Sequence, residues 1–315
     1  MEQMQPDSRI YVAGHRGLVG QALVRRLERE GFTNIIKATH SELDLTDQTA
    51  TDTFFADKKP EYVFVAAAKV GGIMANKTYP VDFLHDNILI QTSLLRAAWR
   101  HEVRKTLLLG SSCIYPRLAP QPIREESLLT GPLEPTNQWY AIAKIAGLLL
   151  GQAYHEQYSM NVISAMPTNL YGPGDNFDLE TSHVLPAMIR KFHEAKVSGA
   201  NRVTLWGSGS PLREFLHVDD LAEACLFLMR HYEDPEVINI GSGQEISIKD
   251  LAKLIAEVIG FTGEVAWDQS KPDGTPRKLL DISRIAALGW RAGISLREGL
   301  TETYEWVLTQ TSSGA

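Results

Sequence analysis

The strongest constraint on the fold lies near the start of the chain. The apolar run Ile10-Tyr11-Val12-Ala13 leads straight into Gly14-His15-Arg16-Gly17-Leu18-Val19-Gly20. A helical pattern follows, with Val19, Leu23 and Leu27 on one stripe and Arg25, Arg26, Glu28 and Arg29 on the other. Strand, glycine turn and helix in that order aim backbone N–H groups and a helix N-terminus at one point, the arrangement that receives a pyrophosphate. The spacing is Gly-x-x-Gly-x-x-Gly, not the more frequent Gly-x-Gly-x-x-Gly, and its place at the first strand-to-helix turn gives it weight. Candidate strands recur at 10–13, 34–38, 62–66, 105–110 and 162–166, between helical patterns near 18–31, 48–57, 82–101 and 137–158. That alternation implies right-handed βαβ crossovers and an α/β fold built on a doubly wound parallel sheet.

After Pro167 the rhythm breaks, with Pro- and Gly-rich stretches at 172–174, 207–211 and 271–276 that read as loops over a ligand. Residues 1–170 therefore read as a dinucleotide-binding domain and 171–315 mainly as a smaller, discontinuous α/β substrate lobe. A helix at 215–232 and the run Val237-Ile238-Asn239-Ile240 look like returns to the sheet, near 212–242. Thr309 to Ala315 reads as a frayed tail. A net charge of −7 argues against a nucleic-acid binder. No run approaches the ~20 apolar residues of a membrane span, and the polar N-terminus shows no signal peptide. The two cysteines, Cys113 and Cys225, speak for a reducing compartment and a cytoplasmic protein. The nine histidines show no metal-ligand spacing, so no metal is expected.

Two patterns carry chemistry. Of ten tyrosines, only Tyr140 has a lysine four positions later, Lys144, in a stretch that reads as helix. The two side chains then lie one turn apart on one face. A neighbouring ammonium lowers a phenol's pKa toward the range of a proton donor or acceptor; a plain surface pair is the bland alternative. The second pattern is Leu107-Leu108-Leu109-Gly110-Ser111-Ser112-Cys113-Ile114-Tyr115-Pro116, a buried strand ending in hydroxyls and a thiol. The C-terminal ends of parallel strands are where such sheets do chemistry, although a serine-rich turn is also a common way to leave a strand.

The glycine turn, Ser111, Tyr140 and Lys144 together resemble the short-chain dehydrogenase/reductase superfamily in its extended, sugar-nucleotide-modifying branch, which has a Rossmann-type sheet. Further blocks are similar to the GDP-L-fucose synthase family: Ala-Ala-Lys-Val-Gly-Gly-Ile at 67–73, Gly-Ser-Ser-Cys-Ile-Tyr-Pro at 110–116 and Glu-Pro-Thr-Asn at 134–137. So are Met-Pro-Thr-Asn-Leu-Tyr-Gly-Pro at 166–173, Arg-Glu-Phe-Leu-His-Val-Asp-Asp at 213–220 and Lys-Pro-Asp-Gly-Thr-Pro-Arg-Lys at 271–278. The resemblance runs from about Arg9 to near Val307.

That resemblance implies 3,5-epimerisation of GDP-4-keto-6-deoxy-D-mannose, then reduction at C4, giving GDP-L-fucose. Proton exchange next to a ketone needs a base on one face of the ring and an acid on the other, and Cys113 and His183 fit those roles. Ser111 and Tyr140 would hold the enolate oxygen, Tyr140 would deliver the proton at C4, and Lys144 would hold the nicotinamide ribose. Duller rivals are Cys113 as a packed strand-end residue and His183 as a helix cap. The cofactor is expected to be NADP(H), because no acid follows the second strand until Glu42 and Arg16 suits a 2′-phosphate. Some relatives carry a second arginine where this chain has His40. The implied cofactor contacts are Gly14, His15, Arg16, Gly17, Leu18, Val19, Gly20, His40, Asp44, Leu45, Leu109, Gly110, Lys144, Pro167, Asn169, Leu170 and His183. For the GDP-sugar they are Lys191, Trp206, Arg213 and Asp273.

Other readings stay open at this level: an epimerase/reductase of a 3-deoxy sugar, a 4,6-dehydratase or 4-epimerase, and a non-catalytic cofactor sensor. Ser-Ser-Cys-Ile lacks the acidic residue that usually follows the dehydratase threonine, and the intact Ser111, Tyr140 and Lys144 weigh against a sensor. Helices 82–101 and 137–158 show long apolar stripes (Leu84, Ile88, Gln91, Leu95; Ile142, Ile145, Leu149), from which a homodimer through a four-helix interface is expected.

Overall fold

Why the chain leaves its first strand as it does is visible in two glycines. Gly14 sits at φ +82°, and a Cβ there would lie 2.6 Å from the Ala67 nitrogen. A Cβ on Gly20 would lie 2.0 Å from the Gly14 carbonyl oxygen. The turn between strand and helix is therefore closed tightly against the neighbouring strand end, which only glycine permits. These details come from a computed structural model that describes residues 4–179, 181–271 and 273–312; Glu180 and Pro272, within stretches discussed above, lie outside the described residues.

The elements run β1 (Ile10–Ala13), α1 (Leu18–Arg29), β2 (Ile35–Ile36), α2 (Gln48–Lys58), β3 (Tyr62–Val65), α3 (Ile73–Thr78), α4 (Pro80–Arg100), β4 (Lys105–Leu109), α5 (Gln138–Tyr158) and β5 (Val162–Pro167). They continue with β6 (Asn169–Tyr171), α6 (Val184–Ser198), β7 (Arg202–Trp206), β8 (Leu212–His217), α7 (Val218–His231), β9 (Val237–Ile240) and β10 (Glu245–Ser247). The last are α8 (Ile248–Ile259), β11 (Glu264–Asp268), β12 (Arg277–Lys278), α9 (Ser283–Ala287) and α10 (Leu296–Ser312).

The main sheet has the order β2-β1-β3-β4-β5-β9, and every pairing in it is parallel. β1, β3, β4, β5 and β9 are buried at every residue, as a sheet covered on both faces requires. The order reverses at β1, with β2 on one side and β3 on the other, which opens a crevice at the C-terminal edge. Leu23 and Leu27 of α1 pack with Leu221, Ala224 and Cys225 of α7 on one face, and Phe55 of α2 with Leu94 and Leu95 of α4 on the other. Ion pairs Arg26–Glu223 and Arg230–Glu30, each 3.0 Å, tie α1 and α7 at their solvent side.

Beyond β5 the pairings become non-local. β8 is joined by β6 and β12 in parallel and by β10 antiparallel, while β7 and β11 form a two-stranded parallel pair. Leu185 and Phe192 of α6, Leu205 of β7, Leu251 and Ile255 of α8 and Leu300 of α10 form the core under these strands.

The structure corrects several boundaries. The helix read at 215–232 is two elements: Leu212–His217 is strand β8, and α7 begins only at Val218. Phe215 and Leu216 enter two different cores, as alternate residues of a strand do, and share no helical stripe. The strand read at 34–38 shrinks to Ile35–Ile36, because pairing with β1 covers only those two residues. Residues 309–312, read as tail, complete α10; Ser313 to Ala315 lie outside the described residues.

Candidate active site

The C-terminal edge of the parallel sheet gathers the chain's reactive side chains. β4 ends at Leu109, and Gly110 leads to Ser111, whose hydroxyl accepts a bond from the Cys113 N–H at 3.4 Å and caps a short 3-10 turn. Cys113 is buried there, 8% exposed. α5 brings Tyr140 and Lys144 onto one face, with the lysine Nζ 5.7 Å from the centre of the tyrosine ring. The same ammonium donates to the Leu109 carbonyl at 2.7 Å, which fixes α5 to the end of β4. Phe83 of α4 meets the Tyr140 ring edge-on, centroids 6.4 Å apart, and walls off its far side.

Burial dominates the electrostatics. The Lys144 ammonium is held down to about 8 by desolvation. The Tyr140 phenol, expected to be lowered by its lysine, is instead pushed up, by burial first and then by Cys113. The reason is geometric: the ammonium is committed to the Leu109 carbonyl and does not reach the phenol oxygen within hydrogen-bond distance. Burial also raises the Cys113 thiol, opposed first by Lys278, then by the Ser111 bond and Lys144.

His183 holds the position before α6 but makes no side-chain cap bond. Its imidazole is lowered by burial and by Lys278. Backbone contacts place this segment against the 67–73 block, with the Gly72 N–H donating to the Thr181 carbonyl at 3.3 Å. The charge of Lys278 bears on both Cys113 and His183, and the sequence reading did not single that lysine out.

The expected dinucleotide contacts line the same edge. α1 starts at Gly17 with no side-chain cap, which leaves its first N–H groups free for an anion. A Cβ on Gly17 would meet only the Gly14 oxygen at 3.5 Å, so this glycine borders open space. That cradle fits a pyrophosphate. Past β2, the first acid, Glu42, is bonded back to the Thr39 N–H and hydroxyl. The half-buried His15 ring is lowered first by desolvation and then by Lys37 and Arg16, and its Nδ1 has no partner. His40 is exposed, with Nδ1 3.9 Å from Asp44. Leu45 packs at the margin of the core beneath α2. At the end of β5, Pro167 pairs with Ile240, Asn169 donates to the Glu214 carbonyl at 2.7 Å, and Leu170 packs into the core under α1 and α7.

Of the expected GDP-sugar contacts, Trp206 is 62% exposed at the end of β7, with Lys191 and Lys271 ammonium groups 5.8 and 5.5 Å from its ring. Arg213 lies on β8, lowered by burial and offset by Asp273. The Asp273 carboxylate accepts from the Ser208 N–H at 2.6 Å and hydroxyl at 2.8 Å, closing the 207–210 loop. Lys271 and Lys278 are additions. Both lie in the 271–278 block, but only strand pairing and the Trp206 contact show which way they face.

Residues 10–241 match the NAD dependent epimerase/dehydratase family. GDP-L-fucose synthase 1 of Arabidopsis thaliana is 62% identical over 302 residues, covering 96% of this chain and 94% of that protein. The chain belongs to the NAD dependent epimerase/dehydratase family, on its GDP-L-fucose synthase branch. GDP-L-fucose synthase of Escherichia coli K12 is 51% identical over 309 residues, covering 95% of this chain and 96% of that protein. Among solved structures, a GDP-L-fucose synthetase of Naegleria fowleri bound to NADP superimposes with a TM-score of 0.92 at 31% identity, over 99% of this chain and 97% of that one.

Proposed function

We propose that this chain converts GDP-4-keto-6-deoxy-D-mannose to GDP-L-fucose, by epimerisation at C3 and C5 followed by NADPH-dependent reduction at C4. The observation that carries the reading is the convergence of Ser111, Cys113, Tyr140 and Lys144 at the C-terminal end of β4, beside an uncapped, glycine-lined helix N-terminus. Full-length identity to GDP-L-fucose synthases supports the substrate class. NADPH, when bound, supplies the hydride. Gly14 to Gly20 would hold its pyrophosphate, with Leu109, Gly110, Pro167, Asn169, Leu170 and Lys144 along the nicotinamide half. Arg16 with Lys37 would face the 2′-phosphate, leaving His40, Asp44 and Leu45 toward the adenine.

The protein's own groups then divide the work. Cys113 and His183 exchange protons at the carbons beside the ketone. Ser111 and Tyr140 donate to the oxygen on which negative charge develops, where a fixed donor in a dry site is worth most. Tyr140 delivers the proton to O4, and its raised pKa keeps it protonated until then. The Lys144 ammonium steadies the ribose. Lys191, Trp206 and Arg213 receive the nucleoside diphosphate, with Asp273 shaping the loop beside it. In these terms residues 1–170, with the returns at α7 and β9, form the cofactor domain, and the remainder is the substrate lobe; β8, within the stretch expected to return, instead pairs with β6, β10 and β12.

Trp139, Ile142 and Leu149 of α5 lie exposed at helical spacing, as do Trp99 and Tyr158, whose tilted rings have centroids 4.6 Å apart. Gln91, Leu95 and Ile145, by contrast, are buried within the chain. The outer stripe is the surface we assign to a homodimer; a monomer by light scattering at micromolar concentration removes that assignment. No helix among the described residues is long and apolar enough to cross a membrane, and Cys113 and Cys225 are both free thiols, which fits our placement in the cytosol. The test of function is NADPH absorbance on adding the keto-sugar in heavy water. Oxidation with deuterium at C3 and C5 is expected. Oxidation with deuterium at neither carbon leaves a plain 4-reductase and overturns the epimerase half.

A further inference from the structure

Tyr140 is the proton donor of the function proposed above, yet among the described residues nothing hydrogen-bonds its phenol. Packing must therefore fix the direction of that hydroxyl. The Lys144 ammonium stands 5.7 Å from the ring centre but is spent on the Leu109 carbonyl. The other neighbour is Phe83 of α4, whose ring meets the phenol edge-on, at 78° with centroids 6.4 Å apart.

Phe83 is 2% exposed, yet it joins none of the four apolar cores formed by the described residues. Its ring is buried in the site instead. Besides Tyr140 it meets Gly71 of the 67–73 block, where a Cβ would lie 3.1 Å from the Phe83 Cζ and 3.0 Å from the Ala75 Cβ. Gly71 is not among the glycines of positive φ. Its backbone would accept a side chain, and what leaves no room for one is the Phe83 ring together with Ala75. Both pieces are braced from behind. The Asn87 side chain donates to the Phe83 carbonyl at 2.7 Å and grips the Lys69 carbonyl and N–H at 3.0 and 2.9 Å. On the far side, the Gly72 N–H donates to the Thr181 carbonyl at 3.3 Å, two residues before His183.

We propose that Phe83 is the positioning residue of the proton donor: its ring, wedged between Gly71 and Tyr140, sets the direction of the phenol hydroxyl. The inference rests on giving Tyr140 the proton delivery at O4. A phenol without a hydrogen bond keeps one rotamer only where its neighbours fill the space it would otherwise swing into. An edge-to-face ring pair does this and favours one mutual orientation. It also leaves the hydroxyl uncommitted, so that the sugar oxygen meets a donor already aimed and without a competing partner. Aim matters here, because a displacement of about 1 Å can cost about 10²-fold in rate.

The test pairs single-turnover NADPH oxidation with steady-state KM. Phe83→Leu keeps the site apolar but removes the ring; hydride transfer should slow about 10- to 100-fold, with the KM for GDP-sugar within about twofold. Gly71→Ala presses on the ring from the loop and leaves Tyr140 untouched, so a loss of about three- to tenfold is expected. The two should not add. In the Phe83→Leu background the alanine should cost less than about twofold, because the ring through which it acts is gone. A second readout needs no substrate. With fluorotyrosine at all ten tyrosines, the Tyr140 fluorine resonance is identified by its loss in Tyr140→Phe. It should move and broaden in Phe83→Leu and move in Gly71→Ala. Unchanged hydride transfer in Phe83→Leu, a loss confined to KM, fully additive losses or an unmoved Tyr140 resonance each overturns the proposal. If Phe83→Leu fails to fold, Phe83→Met takes its place, and Gly71→Ala still decides the matter by rate and resonance. If the unaltered protein oxidises no NADPH, the function proposed above falls and the fluorine spectra alone judge Phe83.

Discussion

The active-site cleft has two walls built on opposite principles. On the wall formed by β4 and α5, polar groups are tied to the fold: Lys144 to the Leu109 carbonyl, Ser111 to the Cys113 N–H, Tyr140 against Phe83. On the wall formed by α6, β7, β8 and β12, cations gather with little to hold: Lys191 and Lys271 over an exposed Trp206, and Lys278 with no partner among the described residues. The first wall is preorganised before any ligand arrives, as a transition-state site must be. The second carries positive charge suited to an incoming diphosphate. Damage to the first should therefore appear in kcat, and damage to the second in KM.

The largest effect expected is on the first wall. Tyr140→Phe removes the proton donor while keeping the ring against Phe83, so NADPH oxidation should fall about 10²- to 10⁴-fold with KM little changed. A loss confined to KM, seen in steady-state rates, would erase the distinction between the walls. Next, on the second wall, Arg213→Ala should raise the KM for GDP-sugar about 10- to 100-fold with kcat within a few-fold, the value of a charge-assisted bond of about 1.5–3 kcal/mol.

A pH series sharpens the comparison, because the buried lysine of the first wall titrates within reach. The Lys144 ammonium has a value of about 8 in the folded protein against 10.5 ordinarily. Lys105, which donates to the Leu228, Met229 and Tyr232 carbonyls, is also near 8. The folded values lie below the unfolded ones, so from about pH 8 to 9 these lysines hold more protons in the unfolded chain and raise stability with pH, until the buried thiols and phenols, raised by the fold, oppose them at higher pH. Activity should move the other way, falling about tenfold per unit above pH 8 as Lys144 loses its charge. Thermal melts and kcat over about pH 7 to 9 check both limbs; a stability that falls through this window contradicts the buried-lysine account.

The two walls also differ in how far the sequence announces them. β1 to β5 and their helices leave local marks: apolar runs, a 3.6-residue stripe in α1, and glycines at 14 and 20 that the close approach of turn to strand demands. Tyr140 and Lys144 are equally local, one helical turn apart. Strand β8 has no such mark, since its partners come from residues 169–171, 245–247 and 277–278. Its apolar residues run on into α7, and the whole stretch passes for one helix. Lys278 shows the same limit, because two adjacent basic residues look alike until register with β8 sends one toward Glu245 and the other toward the site. The direction of the Tyr140 shift was hidden for a related reason: spacing puts a lysine nearby, and only coordinates show its ammonium spent on a carbonyl.

The smallest effect belongs to the outermost part of the second wall. Lys271 is exposed and lies 5.5 Å from the centre of the Trp206 ring. A cation–π contact in solvent is worth about 0.5–1 kcal/mol, so Lys271→Met should raise the KM for GDP-sugar only about two- to fivefold, with kcat and the pH profile unchanged. Raising the salt concentration should shrink even that difference, because exposed charges separated from their ligand by water are screened within a Debye length of about 8 Å at physiological salt. If Lys271→Met instead lowered kcat as Tyr140→Phe does, the exposed lysine would have to reach the reacting sugar. The second wall would then be part of the chemistry, and the division of labour between the two walls would fail.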